Sequence, residues 1–376
     1  MKILQALFFP PEQPGGVSSM IPYILERFQS PNWDMEMFSL PKRIRGKGTE
    51  PVSFDTFDWT QFEDSLIVQK YIQTYRDYIW WTKLRTQKNY DLIHAHHPIA
   101  ALAMKQLFPD TPLIMTIHSS FERELILNGR IEENGPEHRF LTSLYRELEV
   151  KSDHIMTVSE SFRAYLSTYL HHSDQVLVLP NGFDEKRFKP ISHENGVPQL
   201  ITVCRLVPAK GLDILLEACS KLKQRGLDYV LHIIGDGPIR KDLEQMAQKL
   251  GIYDETIFYG YMLHPEEFMP FSDIFVLPSR AEAFGSVFAE AALCWLALVG
   301  TDIGGISEQI EDGVNGLLVP EDDADALADA LERLMMDSQF RYELARAAWT
   351  KAKGTYSLSR IVNELKRTYI RFRKTT

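Results

Sequence analysis

The sequence predicts an α/β protein built from two doubly wound parallel sheets. Short apolar segments, each long enough for one buried strand, alternate with longer amphipathic segments from one end of the chain to the other. This alternation is typical of parallel sheets that helices cover on both faces. At 376 residues the chain exceeds one typical core. We therefore expect two domains.

Six candidate strands precede a break in the pattern, and five follow it. The six are Lys2–Phe8, Asp34–Leu40, Leu92–Ala95, Leu113–Ile117, His154–Val158 and Val176–Leu179. The five are Leu200–Cys204, Tyr229–Ile234, Thr256–Tyr259, Ile274–Leu277 and Leu296–Gly300. Ligands of open parallel sheets bind beyond the carboxyl ends of the strands, so we expect the chemistry in the loops that follow these segments.

The polar stretch Asn181 to Pro198, which contains Pro and Gly, breaks the alternation. We place the domain junction there and predict Rossmann-like domains over residues 1–185 and 186–355. A third segment, 356–376, carries the last amphipathic helix, Leu358 to Phe372.

Composition excludes several classes of protein. The chain is 44% hydrophobic and 24% charged, as globular proteins are, and its net charge of −10 argues against nucleic-acid binding. The first apolar segment is too short for a signal peptide, and the longest uncharged apolar stretch, Ala291 to Thr301, is about half a membrane span. Three widely spaced cysteines favour reduced thiols and a cytoplasmic location.

Two carboxylates, Glu282 and Glu290, flank a predicted strand-to-helix turn. The run Ile274–Leu277 predicts a buried strand, and Gly285 and Ser286 open a helix that carries Glu290. A helix N-terminus attracts phosphate, and carboxylates accept hydrogen bonds from sugar hydroxyls. The segment fits a nucleotide-sugar site, although two isolated glutamates at this spacing are more often solvated charges.

Arg205 and Lys210 lie in one strand-to-helix loop after Cys204. Such a pair can neutralise a diphosphate, Arg through a forked contact and Lys as a point charge. Solvated loop cations are the alternative for the pair taken alone. The nearby glutamate segment favours the diphosphate.

Other loops carry weaker signals. Gly235 and Asp236 follow one strand, and Tyr261 and Met262 follow the next; taken alone these are ordinary turns. They do not form a G-x-G-x-x-G motif because residue 240 is Arg, so a dinucleotide oxidoreductase loses its main support.

Two features of the first half also follow strands. Gly15 and Gly16 would let the backbone approach a ligand, with a plain turn as an equal alternative. His118 ends the segment Leu113–Ile117, where a structural hydrogen-bonding role is the alternative to ligand contact.

No catalytic metal is expected. His94, His96 and His97 include alternate strand residues on one face, but no second ligand set accompanies them, and a structural or acceptor-side role fits better. Asp323 and Asp325 form a D-x-D string in the acidic first turn of a predicted helix, where the helix dipole accounts for them.

Two basic segments of the first half are candidate contacts for an anionic membrane or acceptor. One is a loop with Lys42, Arg43, Arg45 and Lys47. The other is a predicted helix whose basic and aromatic residues are Lys70, Tyr71, Tyr75, Arg76, Tyr78, Trp80, Trp81, Lys83 and Arg85. A surface helix of this kind can touch a membrane, but a solvated face over a core stripe explains it as well.

The order of residues in these segments resembles glycosyltransferase family 4, whose members are retaining enzymes of the GT-B fold. The resemblance is specific in the second half, over Pro278–Glu290, Thr301–Glu308 and Asp312–Pro320. In the first half it rests on the strand pattern and a few features, which are the glycine loop, His118, Val158–Glu160 and Pro180–Gly182.

The resemblance implies a fold and roles for the candidate residues. GT-B proteins have two Rossmann-like domains facing a cleft, and their C-terminal helix crosses back to the first domain. In the family, the residues matching Arg205 and Lys210 hold the leaving diphosphate. The residue matching Glu290 binds ribose, Glu282 matches a hexose-binding residue, and His118 matches one that touches hexose or acceptor. Further implied donor-binding positions are Gly15, Gly16, Gly235, Asp236, Tyr261, Met262, Phe284, Gly285 and Ser286.

For the whole chain we predict a cytoplasmic, metal-independent, retaining glycosyltransferase. Any contact with the membrane is expected at its inner face. It needs no cofactor and uses a nucleotide-diphosphate sugar, with UDP-glucose and UDP-N-acetylglucosamine favoured by their frequency in the family. The expected acceptor is a cell-envelope or surface glycan, a lipid-linked sugar or a small hydroxyl compound. A non-catalytic relative with a structural or assembly role and a nucleotide-sugar epimerase remain alternatives.

Three departures from the family pattern concern the donor pocket. Ala283 and Cys204 stand where Gly is usual, and Trp295–Ala297 stands where Gly-x-Pro is usual. Each departure adds bulk or changes backbone freedom, so we expect each to affect the geometry of donor binding.

Overall fold

The computed structural model describes residues 1–8, 16–28, 30–41, 44, 46–85, 89–191 and 196–373. The chain divides into two compact units. Unit 1 comprises Met1–Gly182 and Ser359–Thr376, and unit 2 comprises Phe183–Leu358. The sequence analysis placed the corresponding boundaries at residues 185/186 and 355/356.

Unit 1 is built on a parallel sheet. Its strands are β1 Lys2–Ala6, β2 Asp34–Phe38, β3 Leu92–Ala95, β4 Leu113–Ile117, β5 His154–Thr157 and β6 Leu177–Val178. Within the described residues these six strands pair in the order β2-β1-β3-β4-β5-β6. Both β3 and β4 are buried along their whole length, as expected for parallel strands covered on both faces.

Helices connect these strands and cover the sheet. They are α1 Gly16–Glu26, α2 Leu66–Arg85, α3 Pro98–Leu107, α4 Arg123–Leu127, α5 Pro136–Lys151 and α6 Glu160–Leu166. The start of α6 shows how the sequence fixes such a boundary. Ser159 accepts a hydrogen bond from the backbone N–H of Phe162 and thereby caps the helix.

The basic-aromatic helix predicted in the first half is α2, and several of its residues lie in the core. Tyr75 and Tyr78 are 2% and 0% exposed. Buried Asp77 accepts hydrogen bonds from the backbone N–H groups of Gly46, Lys47 and Gly48, each at 2.8 Å. These contacts fit the interpretation of α2 as a helix with a stripe facing the core. Of the basic loop, Lys42, Arg43 and Arg45 lie outside the described residues.

Unit 2 is built on a second parallel sheet. Its strands are β7 Gln199–Val203, β8 Val230–Ile234, β9 Thr256–Gly260, β10 Ile274–Leu277, β11 Ala297–Thr301 and β12 Leu317–Val319. The order of these six described strands is β12-β11-β10-β7-β8-β9. The register places Ile274 opposite Leu200 on one side and Ala297 on the other, so fully buried β10 lies inside the sheet.

The helices of unit 2 alternate with its strands. They are α7 Leu212–Gln224, α8 Arg240–Lys249, α9 Ser286–Leu293, α10 Ile306–Gln309, α11 Ala324–Met336 and α12 Ser338–Thr355. A last helix, α13 Leu358–Phe372, packs in unit 1 through Ile361, Val362, Leu365 and Tyr369, which are at most 4% exposed.

The two parallel sheets confirm the predicted α/β class. The sequence analysis identified eleven of the described strands and missed β12, whose three residues, Leu317–Val319, are too short a run to show a period. That strand gains its stability from pairing with β11 rather than from its own pattern.

We expected Trp295 to affect the donor pocket. This expectation is wrong, because Trp295 lies at the opposite edge of the sheet from the predicted donor loops. Trp295 lies in the turn from α9 to β11, and α9 has by then returned to the amino ends of the strands, opposite the edge where the donor loops lie. Its φ of 67° is the left-handed helix cap that Gly usually fills. The ring packs against Tyr342 and Trp349, with centroids 5.5 and 6.1 Å away.

Gly211 marks the closest approach between the loops that follow β7 and β10. Its φ is 64°, and a Cβ atom there would lie 1.9 Å from the carbonyl oxygen of Pro278. The two loops can therefore come together only because residue 211 has no side chain.

We expect Gly211→Ala to destabilise the protein more than Gly226→Ala. Both glycines have positive φ, so each change costs roughly 1 kcal/mol of backbone strain. Only Gly211→Ala adds an overlap with the Pro278 carbonyl, because a Cβ at Gly226 meets nothing within 4 Å. The thermal unfolding midpoint of each variant is compared with that of the natural protein. An equal drop in midpoint for the two variants would contradict the close approach of the loops.

Candidate active site

Lys210 and Glu282, two of the charged residues predicted in the second half, meet at the carboxyl edge of the unit 2 sheet. β7 and β10 are neighbours, so the loops after them run side by side. Lys210 ends a 3₁₀ turn in the first loop, and Glu282 lies in the second. Nζ of Lys210 is 2.5 Å from Oε1 of Glu282. Arg205 is exposed at the start of the Lys210 loop.

The Lys210–Glu282 ion pair is mostly shielded from water. The two side chains are 15% and 13% exposed, and Ser279 Oγ donates a second hydrogen bond to the same carboxylate oxygen at 3.0 Å. Shielded charges are costly unless they are paired and hydrogen-bonded. An anionic ligand that reaches Lys210 would therefore replace the Glu282 carboxylate as its counter-charge, at a site already shielded from bulk water.

Arg280, which the sequence analysis did not single out, ties the two loops together. Its Nη1 donates to the Pro208 carbonyl at 2.6 Å, and its guanidinium forks onto Asp213 at 3.0 and 2.7 Å. Its Nε donates to Asp322 at 2.7 Å, and its backbone N–H donates to Ala209 at 2.8 Å. Forked contacts fix geometry as well as adding energy, so Arg280 positions the loop after β7. Its partners lie in separate segments, and local sequence gave no signal of them.

Glu290 lies on α9, in an environment that disfavours its charge. Burial raises the pKa of its carboxyl to about 8; the Arg187 guanidinium opposes this shift, and the Glu266 carboxylate adds to it. Arg187 donates to Glu266 Oε1 from Nη2 at 2.5 Å and from Nε at 3.2 Å. Although burial alone would raise the pKa of Glu266, these hydrogen bonds hold it below its ordinary value. The sequence analysis missed both of these neighbours.

The turn before α9 is held rigidly. Gly285 caps the helix with a φ of 78°, and Ser286 begins it. Phe284 is buried, with its ring edge-on to that of Tyr356 at 5.3 Å. The side-chain amide of Gln309 donates to the carbonyls of Phe284 and Gly285. The first turn of α9 therefore keeps a fixed direction at the edge where Lys210 and Glu282 lie.

The predicted nucleotide-side loops lie at the same edge of the sheet. Gly235 has a φ of 141°, and a Cβ there would lie 1.8 Å from the carbonyl oxygen of Cys204. Asp236 is exposed and accepts from its neighbour's backbone N–H at 2.8 Å. Tyr261 is 52% exposed after β9, followed by half-buried Met262. The structure thus brings all four residues of these loops to the edge that carries Lys210.

The departures at Cys204 and Ala283 do lie at the carboxyl edge of the unit 2 sheet, beside Lys210 and Glu282. Burial raises the pKa of the Cys204 thiol to about 12, so the group stays neutral beside Lys210. The Ala283 carbonyl faces Gly305, where a Cβ atom would lie only 2.4 Å away. Neither residue separates the charged pair described above.

The first-half candidates fall in unit 1. Gly15 lies outside the described residues, and Gly16 begins α1. His118 follows β4 at the carboxyl edge of its sheet, as predicted, and Nε2 of its ring is 3.0 Å from Nδ1 of His96. Burial lowers the pKa of His118 to about 4, which keeps it neutral.

A buried carboxylate that the sequence analysis missed holds the segment after His118. Glu122 is 0% exposed and accepts hydrogen bonds from the hydroxyls of Tyr145, at 3.0 Å, and Tyr165. Tyr145 also accepts from the backbone N–H of Phe121 at 3.1 Å. The network fixes this loop without a cation. No sequence pattern marks it, because its tyrosines come from two later helices.

Within the described ranges, no three His, Cys, Asp or Glu side chains form a group that could hold a metal ion. Asp323 of the D-x-D string instead caps α11, accepting from the backbone N–H of Ala326 at 2.8 Å. This is an ordinary role for Asp at a helix N-terminus. Independence from metal stays a prediction.

Comparisons with known proteins decide the family. The model of Glycosyltransferase Family 4 matches residues 14–187, and that of Glycosyl transferases group 1 matches residues 183–351. A D-inositol 3-phosphate glycosyltransferase of Arthrobacter sp. (strain FB24) is 31% identical over 283 residues, which cover 70% of this chain and 67% of that protein. The chain belongs to glycosyltransferase family 4. It is therefore a group 1 glycosyltransferase.

Other similarities of this glycosyltransferase are more local or more distant. The alpha-D-kanosaminyltransferase of Streptomyces kanamyceticus is 37% identical over 172 residues, and the match spans 45% of this chain and 44% of that protein. A sucrose-phosphate synthase from Thermosynechococcus elongatus has a TM-score of 0.81 at 19% identity, with 98% of each chain covered. HepE of Anabaena in complex with UDP-glucose has a TM-score of 0.75 at 20% identity, covering 99% of this chain and 100% of that one. These structures confirm the GT-B fold.

None of the described helices of this glycosyltransferase has the length and apolar character needed to cross a membrane.

We expect Glu290→Gln to have a higher free energy of unfolding than the natural glycosyltransferase, by an amount that grows as the pH rises. The pKa of Glu290 is raised to about 8 in the folded chain, against 4.5 for the ordinary group. Between those values folding must take up a proton, so stability falls as pH rises through the window. A neutral isostere removes this cost, which reaches roughly 2–4 kcal/mol near pH 8.

Urea unfolding of both proteins at about pH 4 and about pH 8 measures the effect. The gain should be absent at the lower pH and present at the higher one. Glu282→Gln is the matched control, since it removes a carboxylate that already has Lys210 as partner and should bring no gain. Equal stability of Glu290→Gln and the natural protein at the higher pH would contradict the conclusion that the surroundings of half-buried Glu290 disfavour its charged form.

Proposed function

We propose that this glycosyltransferase moves a hexose, with retention of configuration and without a metal, from a nucleotide-diphosphate sugar to a hydroxyl acceptor. The observation that carries the proposal is the shielded Lys210–Glu282 pair beside the start of α9. A diphosphate needs cations and N–H donors, and a hexose needs carboxylate acceptors. The edge of unit 2 offers all three within neighbouring loops.

Each residue has a role in this proposal. Lys210 and Arg205 neutralise the diphosphate as it leaves, and the first turn of α9 adds N–H donors. Glu282, released from Lys210 by the incoming phosphate, accepts hydrogen bonds from hexose hydroxyls. Glu290 takes the ribose hydroxyls.

Retention follows if the acceptor hydroxyl attacks from the face that the diphosphate leaves. The departing phosphate oxygen then takes the acceptor proton, and electrostatic stabilisation of the leaving group is the main catalytic contribution. Two cations and a helix N-terminus supply the positive charge that a metal ion would otherwise supply. This route needs no covalent intermediate on the protein.

The choice of donor rests on similarity. HepE binds UDP-glucose in its solved complex, and we propose UDP-glucose or UDP-N-acetylglucosamine as the donor here. Backbone groups near Tyr261 and Met262 would contact the base. For the acceptor we propose a glycan, a lipid-linked sugar or a small hydroxyl compound of the cell envelope. We place the reaction in the cytoplasm, with a peripheral contact at the inner face of the membrane for a lipid-linked acceptor.

Release of free nucleotide from a panel of UDP-, GDP- and ADP-sugars, with EDTA present, tests the proposal. We expect slow, selective release from one donor. Lys210→Ala should lower the rate by about 100-fold or more, because it removes charge stabilisation of the leaving group. Glu290→Ala should weaken donor use through lost ribose contacts.

Lys223→Ala is the matched control for Lys210→Ala. Lys223 also pairs with a glutamate of unit 2, at 2.6 Å from Glu255, but that pair involves α7 and the segment before β9 rather than the donor edge. The control should keep the natural rate. Full activity of Lys210→Ala, or activity that EDTA abolishes, would contradict the proposed site.

A further inference from the structure

A chain of hydrogen bonds runs from α13 through the sheet of unit 1 to His118. The side-chain amide of Gln5 donates to the Tyr369 hydroxyl at 3.1 Å, and Oε1 of Gln5 lies 2.9 Å from Nε2 of His96. Nδ1 of His96 lies 3.0 Å from Nε2 of His118. Gln5 and Tyr369 are 2% and 1% exposed, so water does not compete for these groups.

The histidines in this network are neutral. Burial lowers the pKa of His94 to about 3 and that of His118 to about 4, and it lowers the pKa of His96 well below the ordinary value. A neutral imidazole has one N–H donor and one bare acceptor nitrogen. A ring hydrogen-bonded on both sides must therefore donate on one side and accept on the other.

Gln5 determines which group donates and which accepts in each hydrogen bond of the series. Its carbonyl oxygen only accepts, so His96 carries its proton on Nε2 and accepts from His118 through Nδ1. His118 then carries its proton on Nε2, which leaves Nδ1 as a bare acceptor. That Nδ1 atom is buried and has no hydrogen-bond partner within the described part of the chain.

Tyr369 holds the Gln5 amide in place, and His118 decides which way that amide faces. The Tyr369 hydroxyl accepts from the Gln5 amide at 3.1 Å and lies 2.7 Å from Nδ1 of His94, whose Nε2 lies 2.6 Å from the Thr116 hydroxyl. A hydroxyl can donate or accept, so it would tolerate either orientation of the amide. Turning the Gln5 amide over would move the protons of His96 and His118 to Nδ1. His118 would then bury an N–H without an acceptor, and orphaned N–H groups are rarer in native proteins than orphaned acceptors.

We propose that Tyr369, Gln5 and His96 are positioning residues that hold His118 as a hydrogen-bond acceptor for a substrate hydroxyl. The inference rests on the proposed function, which supplies the hydroxyls of a hexose and its acceptor. His118 Nδ1 lies at the carboxyl edge of the unit 1 sheet, just beyond β4. The three positioning residues act through His118 alone, and a helix at the far end of the sequence thus determines what the site can bind.

Nitrogen-15 NMR of histidine-labelled full-length protein at neutral pH tests the proposal, because it shows which ring nitrogen carries the proton. Resonances of His118 are assigned by their loss in His118→Asn. We expect the proton on Nε2 of His118 in the natural protein. In Tyr369→Phe, Gln5 loses the partner that holds its amide in place, and His118 should show both tautomers.

Tyr90→Phe is the matched control. The Tyr90 hydroxyl donates to Glu36 at 2.9 Å in the same unit and is not one of the groups in the chain of hydrogen bonds described above, so His118 should keep one tautomer. Tyr369→Phe should also lower kcat/KM by about tenfold, while Tyr90→Phe should leave it unchanged.

The outcomes separate this inference from the proposed function. A proton on Nδ1 of His118 in the natural protein overturns the inference whatever the activity. A single unchanged tautomer in Tyr369→Phe overturns the roles of Tyr369 and Gln5. The expected tautomers together with a fully active Lys210→Ala would support the network and contradict the proposed donor site.

Discussion

The carboxyl edge of the unit 2 sheet, where we propose that the donor binds, depends on the contact between the loops after β7 and β10. Gly211 allows the backbones to touch, and Arg280 locks them together with forked and backbone hydrogen bonds. Only in this arrangement do Lys210 and Glu282, 72 positions apart, form their pair. A charge pair held in this way needs little reorganisation when a ligand replaces one partner, which is the condition for electrostatic catalysis.

The His118 network of unit 1 and the surroundings of Glu290 in unit 2 differ in their charge. Unit 2 keeps Glu290 in a place that raises its pKa to about 8, and it carries an Arg187–Glu266 ion pair close by. The raised pKa of Glu290 and the nearby ion pair lower the stability of the fold, but they suit a site that binds polar ligands. Unit 1 instead uses neutral imidazoles, whose hydrogen bonds carry direction without charge. Burial there lowers the pKa of His118 to about 4, so its acceptor nitrogen stays bare near neutral pH.

The sequence was sufficient for features that depend on local pattern. Strand-length apolar runs predicted the two sheets, and the loops after them held the cations and glutamates that the fold gathers at one edge. The sequence was insufficient to predict contacts whose partners come from distant segments. Examples are the contacts of Arg280, the pair Arg187–Glu266 and the two tyrosines that donate to Glu122. The error over Trp295 has the same origin, because a family position alone does not say at which end of a helix a residue returns to the sheet.

The most direct test of this account is a crystal structure of the full chain with the nucleoside diphosphate that the release assay identifies. The account predicts that Nζ of Lys210 leaves Glu282 and contacts the terminal phosphate, while Glu290 accepts from the ribose hydroxyls. A nucleotide bound away from the loops after β7 and β10, or an intact Lys210–Glu282 pair with phosphate beside it, would contradict the account.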